Sequence, residues 1–364
     1  MTDTTSTEPP AGGLRWAGQK LDAAAPGALP GLERAASFQM PGLVQSIRTP
    51  EFRGMTFHEV LAKSALNHVP ATAKALPGEY TINPYRGCSH ACVYCYARPT
   101  HEHLGMGLGS DFETQIVVKT NIAEVLRSEL ARKRSIPDRV ALGTNTDPYQ
   151  RAEGRYALMP SIIEALADAG VSFSILTKGS LIRRDLDLLV AARERVDVQL
   201  GLSIAVVDDE LQHLMEPGTP SASARLATVR AIRDAGLDCT VFAAPLLPGL
   251  TDSASQIDEL MSALVDAGVT AVLPHLLYLQ PGVKELYFAW IDRERPHLSA
   301  GYRRIYGGGT YAEKGYRDEF WSRVRASMLR NGLPLPDDAA HDRFALRGRR
   351  TRPALAAAPE PTLF

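Results

Sequence analysis

Three of the four cysteines in this 364-residue chain fall within eight residues, at Cys88, Cys92 and Cys95. The spacing is C-x3-C-x2-C, inside the run Tyr85-Arg86-Gly87-Cys88-Ser89-His90-Ala91-Cys92-Val93-Tyr94-Cys95-Tyr96-Ala97-Arg98. Three thiolates on one tight loop can each hold one iron of a cubane [4Fe–4S] cluster, because soft sulfur suits iron–sulfur centres. With no fourth cysteine nearby, one iron keeps an open position where a substrate or cofactor can bind. Gly87 allows a sharp turn into the first ligand.

Other chemistries use cysteine too. A structural zinc site wants four closed ligands, for which His90, His101 or His103 is at hand. Zinc ribbons, however, favour paired C-x2-C units. A disulfide framework leaves an odd thiol over. The spacing therefore favours the iron–sulfur reading, with zinc or inert thiols as the alternatives.

The ligand loop must sit on a scaffold, and the hydrophobic pattern describes one. From residue 78 short β-rich runs alternate with amphipathic helices. Strands are predicted at Tyr80–Pro84, which runs straight into the cysteine loop, and at Arg139–Gly143, Val171–Thr177, Asp197–Ile204, Cys239–Ala244 and Ala271–Leu279. Helices are predicted near 120–134, 159–169, 184–195, 222–235 and 255–267. The recurring Asp-Ala-Gly endings at 168–170, 234–236 and 266–268 put glycine where a left-handed C-cap is wanted. Six β–α units in a row imply a parallel sheet, as each helical crossover returns the chain to the same end. Patterning alone leaves an open doubly wound sheet and a partial barrel equally available. In both, chemistry belongs at the C-terminal ends of the strands.

Before this core, residues 1–30 read as a disordered lead and 31–77 as a packing arm. The arm includes a helix over Phe57–Leu66, with Phe57, Leu61 and Ala65 on one stripe. After the core at 78–300, residues 301–340 form a C-terminal cap. There the glycines make Tyr302–Tyr311 a loop, followed by a helix near 316–331. Residues 341–364 read as a disordered basic tail with Arg343, Arg347, Arg349, Arg350 and Arg352. Its last residues, Leu363 and Phe364, loosely resemble peptides that bind the bacterial sliding clamp, which makes that clamp a candidate partner. The formal net charge of −1 argues against wholesale non-specific nucleic-acid binding but leaves room for a local basic patch. No apolar run reaches the roughly 18 residues of a membrane span, and the N-terminus lacks the order of a secretory signal. The expected compartment is the cytoplasm, which suits free thiols.

The cysteine motif, with aromatic Tyr94 before the third cysteine, resembles the signature of the radical S-adenosylmethionine (SAM) superfamily. The run Thr81–Arg98, together with Gly143-Thr144-Asn145-Thr146-Asp147-Pro148-Tyr149-Gln150, is similar to a bacterial subgroup near the spore photoproduct lyases. The resemblance implies a partial (β/α)6 TIM-like barrel with an N-terminal arm and a helical C-terminal extension. It also implies a [4Fe–4S] cluster whose open iron binds SAM, and a low-potential electron donor. SAM would be cleaved to a 5′-deoxyadenosyl radical that abstracts hydrogen from a substrate. Proximity to the lyases makes a nucleic-acid lesion one candidate substrate; a protein or small metabolite is another. Outside that class stands a non-catalytic zinc or iron–sulfur nucleic-acid-binding protein.

The resemblance places Tyr94 beside the adenine and Ser203 near the ribose. Thr144, Asn145 and Asp147 lie at a strand end suited to the SAM amino group and ribose, where many relatives instead carry Gly-Gly-Glu. Arg225 suits a methionine carboxylate, because guanidinium binds carboxylate bidentately. Lys178, ending the third predicted strand, can face a cofactor or substrate carboxylate or simply be solvated. Tyr278 and Gln280 leave the last strand facing substrate. Cys239 begins a strand at the end away from the cluster and reads as a buried structural thiol.

Overall fold

The computed structural model describes residues 40–69, 79–132 and 137–335. The N-terminal lead and the basic tail, with Leu363 and Phe364, lie outside the described residues. Eleven strands form in chain order among the described residues: β1 (Leu43–Ile47), β2 (Thr56–Val60), β3 (Asn67–His68), β4 (Tyr80–Ile82), β5 (Tyr85–Arg86), β6 (Gln115–Lys119), β7 (Arg139–Leu142), β8 (Ser172–Thr177), β9 (Val198–Ser203), β10 (Cys239–Leu246) and β11 (Ala271–Leu276).

The larger sheet has the order β11-β10-β9-β8-β7-β4-β3. Its six predicted strands, β4 and β7 to β11, are all parallel, and only the edge strand β3 runs antiparallel. Each new strand is added on the same side of the previous one. A doubly wound sheet would reverse its order midway. An unbroken progression curls in one direction, as in a (β/α) barrel, and β4 and β11 are not paired to close it. The topology therefore makes the choice that patterning left open.

Helices cross between these strands: α1 (Ser110–Thr114), α2 (Ile122–Arg132), α3 (Glu153–Tyr156), α4 (Leu158–Asp168), α5 (Leu186–Arg193), α6 (Asp209–Met215), α7 (Ala222–Asp234) and α8 (Ala254–Asp266). Ser221 caps α7 through Ala224 N–H, and Ser253 with Gln256 forms a capping box on α8. The three Asp-Ala-Gly stops close as predicted. Each glycine has positive φ, and the next N–H reaches back into the last turn, as from Leu237 to the Ile232 carbonyl. The main core lies between sheet and helices, with Phe173, Ile175, Leu202, Val229 and Ile257 fully buried.

Three expectations change. Residues 56–60 form β2 where a helix over 57–66 was expected. β2 pairs antiparallel with β1 and parallel with β6, so tertiary pairing overrides a coincidental apolar stripe. These strands, with β5, make a second sheet of order β1-β2-β6-β5. The cysteine loop is therefore launched from β5 in this small sheet rather than directly from β4. Finally, Tyr302–Tyr306 is helical. It completes α10 (Pro296–Tyr306), which packs on α9 (Val283–Glu294); the loop is limited to the glycines at 307–309. Tyr302 stacks on Tyr306 with ring centroids 6.0 Å apart, and Tyr306 donates to the Leu277 carbonyl at 2.8 Å. α11 (Lys314–Arg330) then lies on α8, tied by Ser327 to Asp258 at 2.8 Å.

Phe173 sits fully buried on the central strand β8. Its replacement by Ala is expected to destabilise the fold by about 3–5 kcal/mol, read as a lower urea midpoint with unchanged slope.

Candidate active site at the cysteine loop

Residues 87–97 contain no helix or strand. A turn starts on each cysteine instead: the carbonyls of Cys88, Cys92 and Cys95 accept from the N–H groups of Ala91, Cys95 and Arg98, each at 3.3 Å. Cys88 and Cys92 are buried and Cys95 is half-buried. A buried irregular loop must find its hydrogen bonds elsewhere. Arg98 supplies several. Its guanidinium donates to the Cys92 carbonyl at 2.8 and 3.1 Å and to the carbonyls of Leu108 and Gly109 at 3.0 Å, and it pairs with Glu113.

The run after β7 grips the loop from below. Thr146 donates to the Gly87 carbonyl at 2.6 Å. The Gln150 amide donates to the same carbonyl at 3.0 Å and accepts from Ser89 N–H at 2.9 Å. From the other side, Val93 N–H donates to the Met215 carbonyl at 3.0 Å and Gly218 N–H to the His90 carbonyl at 3.1 Å. At Gly218 a Cβ would stand 1.8 Å from the Ser89 carbonyl oxygen, so only glycine allows this approach.

Two polar groups flank the loop. In the first, the Asp147 carboxylate accepts from Thr177 Oγ1, from Lys178 N–H at 2.6 Å and from Tyr149 N–H at 2.9 Å, and His90 Nδ1 lies 3.3 Å away. Burial alone would raise the Asp147 pKa; the His90 charge and these donors hold it below the ordinary carboxylate value. Thr144 is buried beside Asn83, and Asn145 is exposed at the same strand end. In the second group, Glu216 is buried among Tyr94, Lys178 and Arg225. The Tyr94 hydroxyl donates to Oε1, Lys178 Nζ lies 3.7 Å from Oε1, and Arg225 Nη2 lies 2.7 Å from Oε2. Lys178 also donates to Ser203 Oγ at 2.5 Å, and Arg225 to the Ser203 carbonyl at 2.8 Å. Burial disfavours the Glu216 anion, yet the two cations bring its pKa down to about 2.

Tyr94, Ser203 and Arg225 thus come together on one side of the loop, and Thr144, Asn145 and Asp147 on the other. In two of these residues, Arg225 and Asp147, the charged group itself is taken up by the protein. Arg225 is fully buried; its contact with Glu216 is ionic, lacks hydrogen-bond geometry, and leaves Nε unpartnered. Asp147 is filled by backbone and side-chain donors. Sequence reasoning missed Arg98, Gln150, Glu216 and Gly218 as loop supports, since their partners are defined only by the fold. Cys239 is buried at the start of β10, where burial pushes its thiol up to about 12.

The donor set fits iron–sulfur ligation. Burial and the neighbouring Cys88 push Cys95 up to about 11 against the pull of Arg98 and Lys178, and burial with the Glu216 charge pushes Cys92 well above the ordinary thiol value. Thiolates in such a place need cationic metal to hold them ionised. Among the described residues no three His, Cys, Asp or Glu side chains converge on one ion. A cubane does not require that, because each thiolate binds its own iron. His90 is turned to Asp147, and His101 Nε2 donates to the Gln115 carbonyl at 3.0 Å.

Substitution of Gly218 by Ala is expected to push the loop off its support. Reconstituted protein should then hold less than half of the parent's iron and sulfide, with far-UV circular dichroism unchanged.

Comparison with known proteins agrees with this geometry. The radical SAM superfamily profile matches residues 82–264. An uncharacterized protein of Mycobacterium tuberculosis (strain ATCC 25618 / H37Rv) is 53% identical over 315 residues, covering 85% of this chain and 91% of that protein. An uncharacterized protein of Methanocaldococcus jannaschii is 29% identical over 184 residues, covering 50% of this chain and 66% of its own length. In structure, the chain is similar to a spore photoproduct lyase double mutant with bound AdoMet and dinucleoside spore photoproduct. The TM-score is 0.55, at 18% identity over 75% of this chain and 79% of that one. At that identity the likeness concerns the fold; the profile match over half the chain establishes that this protein belongs to the radical SAM superfamily and is a radical SAM enzyme.

Proposed function

We propose that Cys88, Cys92 and Cys95 hold a [4Fe–4S] cluster and that the enzyme acts on a nucleic-acid lesion. The observation that carries the first part is the set of three thiols within one eight-residue loop at the C-terminal mouth of the parallel sheet, a loop whose peptide groups are tied to the surrounding fold. When bound and reduced, the cluster supplies the electron that splits SAM into methionine and a 5′-deoxyadenosyl radical.

The chain's own residues bind and orient the cofactor. Lys178 is the cation at the mouth whose side chain keeps some exposure, about 14%, and its ammonium suits the methionine carboxylate. The Tyr94 ring packs below that ammonium, 5.9 Å from it, and offers a face that suits the adenine. Ser203, Thr144 and Asn145 offer hydroxyl and amide groups to the ribose and amino group. Asp147 and Arg225 support these residues through Lys178 N–H and the Ser203 carbonyl, instead of meeting the cofactor. A low-potential one-electron donor is required. The cytoplasm is the compartment that suits both cluster and thiols; none of the described helices is long and apolar enough to cross a membrane.

The substrate class rests on the rim. Tyr278 and Tyr311 are both exposed, with ring centroids 5.0 Å apart. Gln280, two residues on, donates to the carbonyl of the exposed Tyr96 in the cysteine loop. Exposed tyrosines beside a radical site offer stacking faces to unpaired bases.

Two measurements test the proposal. Anaerobically reconstituted protein given dithionite and SAM should release 5′-deoxyadenosine, and Cys88→Ala, Cys92→Ala and Cys95→Ala variants should release none; a colourless, zinc-loaded parent would overturn the cluster. Separately, Tyr311→Ala should weaken binding of an ultraviolet-irradiated oligonucleotide by about 1–3 kcal/mol, followed by fluorescence anisotropy. Equal binding by parent and variant would turn the search to peptides and metabolites.

A further inference from the structure

The segment Met215–Gly218, between β9 and α7, touches the cysteine loop closely from the side opposite the Gly143–Gln150 run. Its backbone is hydrogen-bonded to the loop at Val93 and His90, and Gly218 lies against Ser89. Between these contacts stands Glu216, with 1% side-chain exposure. One of its oxygens, Oε1, receives the Tyr94 hydroxyl from the loop and faces the Lys178 ammonium from the end of β8. The other, Oε2, is occupied by Arg225 and approached by Thr219 Oγ1 at 3.4 Å. Lys178 has a further bond to Ser203 Oγ, which itself donates to the Ala244 carbonyl on β10 at 2.9 Å.

This arrangement is more than a buried ion pair. A Glu216–Arg225 pair alone would satisfy the charge. The free oxygen instead joins a side chain located one residue from Cys95 to the one cation of the group that remains partly exposed. We propose that Glu216 is a positioning residue that sets the cysteine loop and the Lys178 ammonium relative to each other, so that the cluster and the SAM carboxylate are held in register by one carboxylate. The inference rests on the reading of Cys88, Cys92 and Cys95 as cluster ligands and of Lys178 as a SAM contact. It assigns Glu216 no contact with SAM. Its effect passes through Lys178 and Tyr94, and so it should be read in cofactor binding and in the electronic state of the cluster as well as in turnover.

The test uses the full chain, reconstituted without oxygen. Iron and sulfide are counted, SAM affinity is measured by equilibrium dialysis without reductant, and the dithionite-reduced cluster is followed by electron paramagnetic resonance with and without SAM. Glu216→Gln keeps the volume and removes the charge. It is expected to retain the parent's iron and sulfide, to bind SAM at least tenfold more weakly, and to show a smaller SAM-induced change in the resonance spectrum. Tyr94→Phe removes only the hydroxyl that reaches Glu216. It is expected to bind SAM several-fold more weakly with unchanged iron content and circular dichroism, and its effect should be smaller than additive when combined with Glu216→Gln, since both act through one link. Parent-like affinity and spectra in both variants would overturn the proposal. If Glu216→Gln does not fold, Tyr94→Phe decides alone: a shifted spectrum with weaker SAM binding supports the role of Glu216, and a parent-like result ends it. A parent that takes up no iron, or that takes it up and binds no SAM, would instead remove the underlying cofactor reading.

Discussion

A loop that buries two thiols and half-buries a third has to satisfy its peptide groups without the internal ladder of a helix or strand. An unpaired buried N–H or C=O costs about 1–3 kcal/mol, so several such groups would cancel the stability of a whole domain. Here the rest of the fold answers that requirement. The small sheet supplies β5 and the turn at Gly87, and the Phe112 carbonyl accepts Cys88 N–H at 2.9 Å. Arg98 folds back from the loop's own end. Gln150, Thr146, Met215 and Gly218 arrive from strand-end segments that are distant in sequence. The barrel contributes few of its own strand residues directly, but it fixes where those segments emerge.

Charge is handled by the same logic. Asp147 and Glu216 stand on opposite sides of the loop, Glu216 buried and Asp147 nearly so, each with its pKa lowered. A buried carboxylate survives as an anion only where cations and donors outweigh lost hydration. Asp147 has backbone N–H groups and His90. Burial opposes the charge on His90, but the Asp147 carboxylate and the neighbouring Cys88 push it up to about 10. Glu216 has Arg225 and Lys178. Lys178 belongs to both groups, its N–H to Asp147 and its ammonium to Glu216. The two sides of the mouth are therefore joined at the end of β8.

This division explains what could be read from sequence. The six parallel strands and their helices follow from local periodicity and Gly stops, and the thiols follow from spacing. The second sheet does not: β2 and β6 are far apart in the chain, and the apolar stripe at Phe57, Leu61 and Ala65 satisfies a helical pattern equally well. Likewise, a glycine-bearing stretch looks like loop throughout, although Tyr302–Tyr306 carries stacked, buried rings that only a helix aligns. The site residues divide in the same way. Arg225 was expected to meet the SAM carboxylate; the turn between β9 and α7 gives it the buried Glu216 carboxylate instead. The run Gly143–Gln150 was legible as important, but the grip of Thr146 and Gln150 on the loop is a property of the fold.

The family match ends at residue 264, within α8. The polar groups that flank the three thiols lie inside it: Arg98, Asp147, Gln150, Lys178, Ser203, Glu216 and Arg225. The exposed rim does not. Tyr278, Gln280 and Tyr311 come after it, on β11's exit and beyond α10, and their position is set by α9 and α10. Those helices share one core with Cys92 and Tyr94 through Tyr287, Trp290 and Tyr302. A change in the C-terminal extension can therefore alter what reaches the radical site, while the shared core keeps it docked on the same loop. Under the proposed function this physical separation is also a functional one, with radical generation drawing on the buried polar groups and substrate choice on the exposed rings.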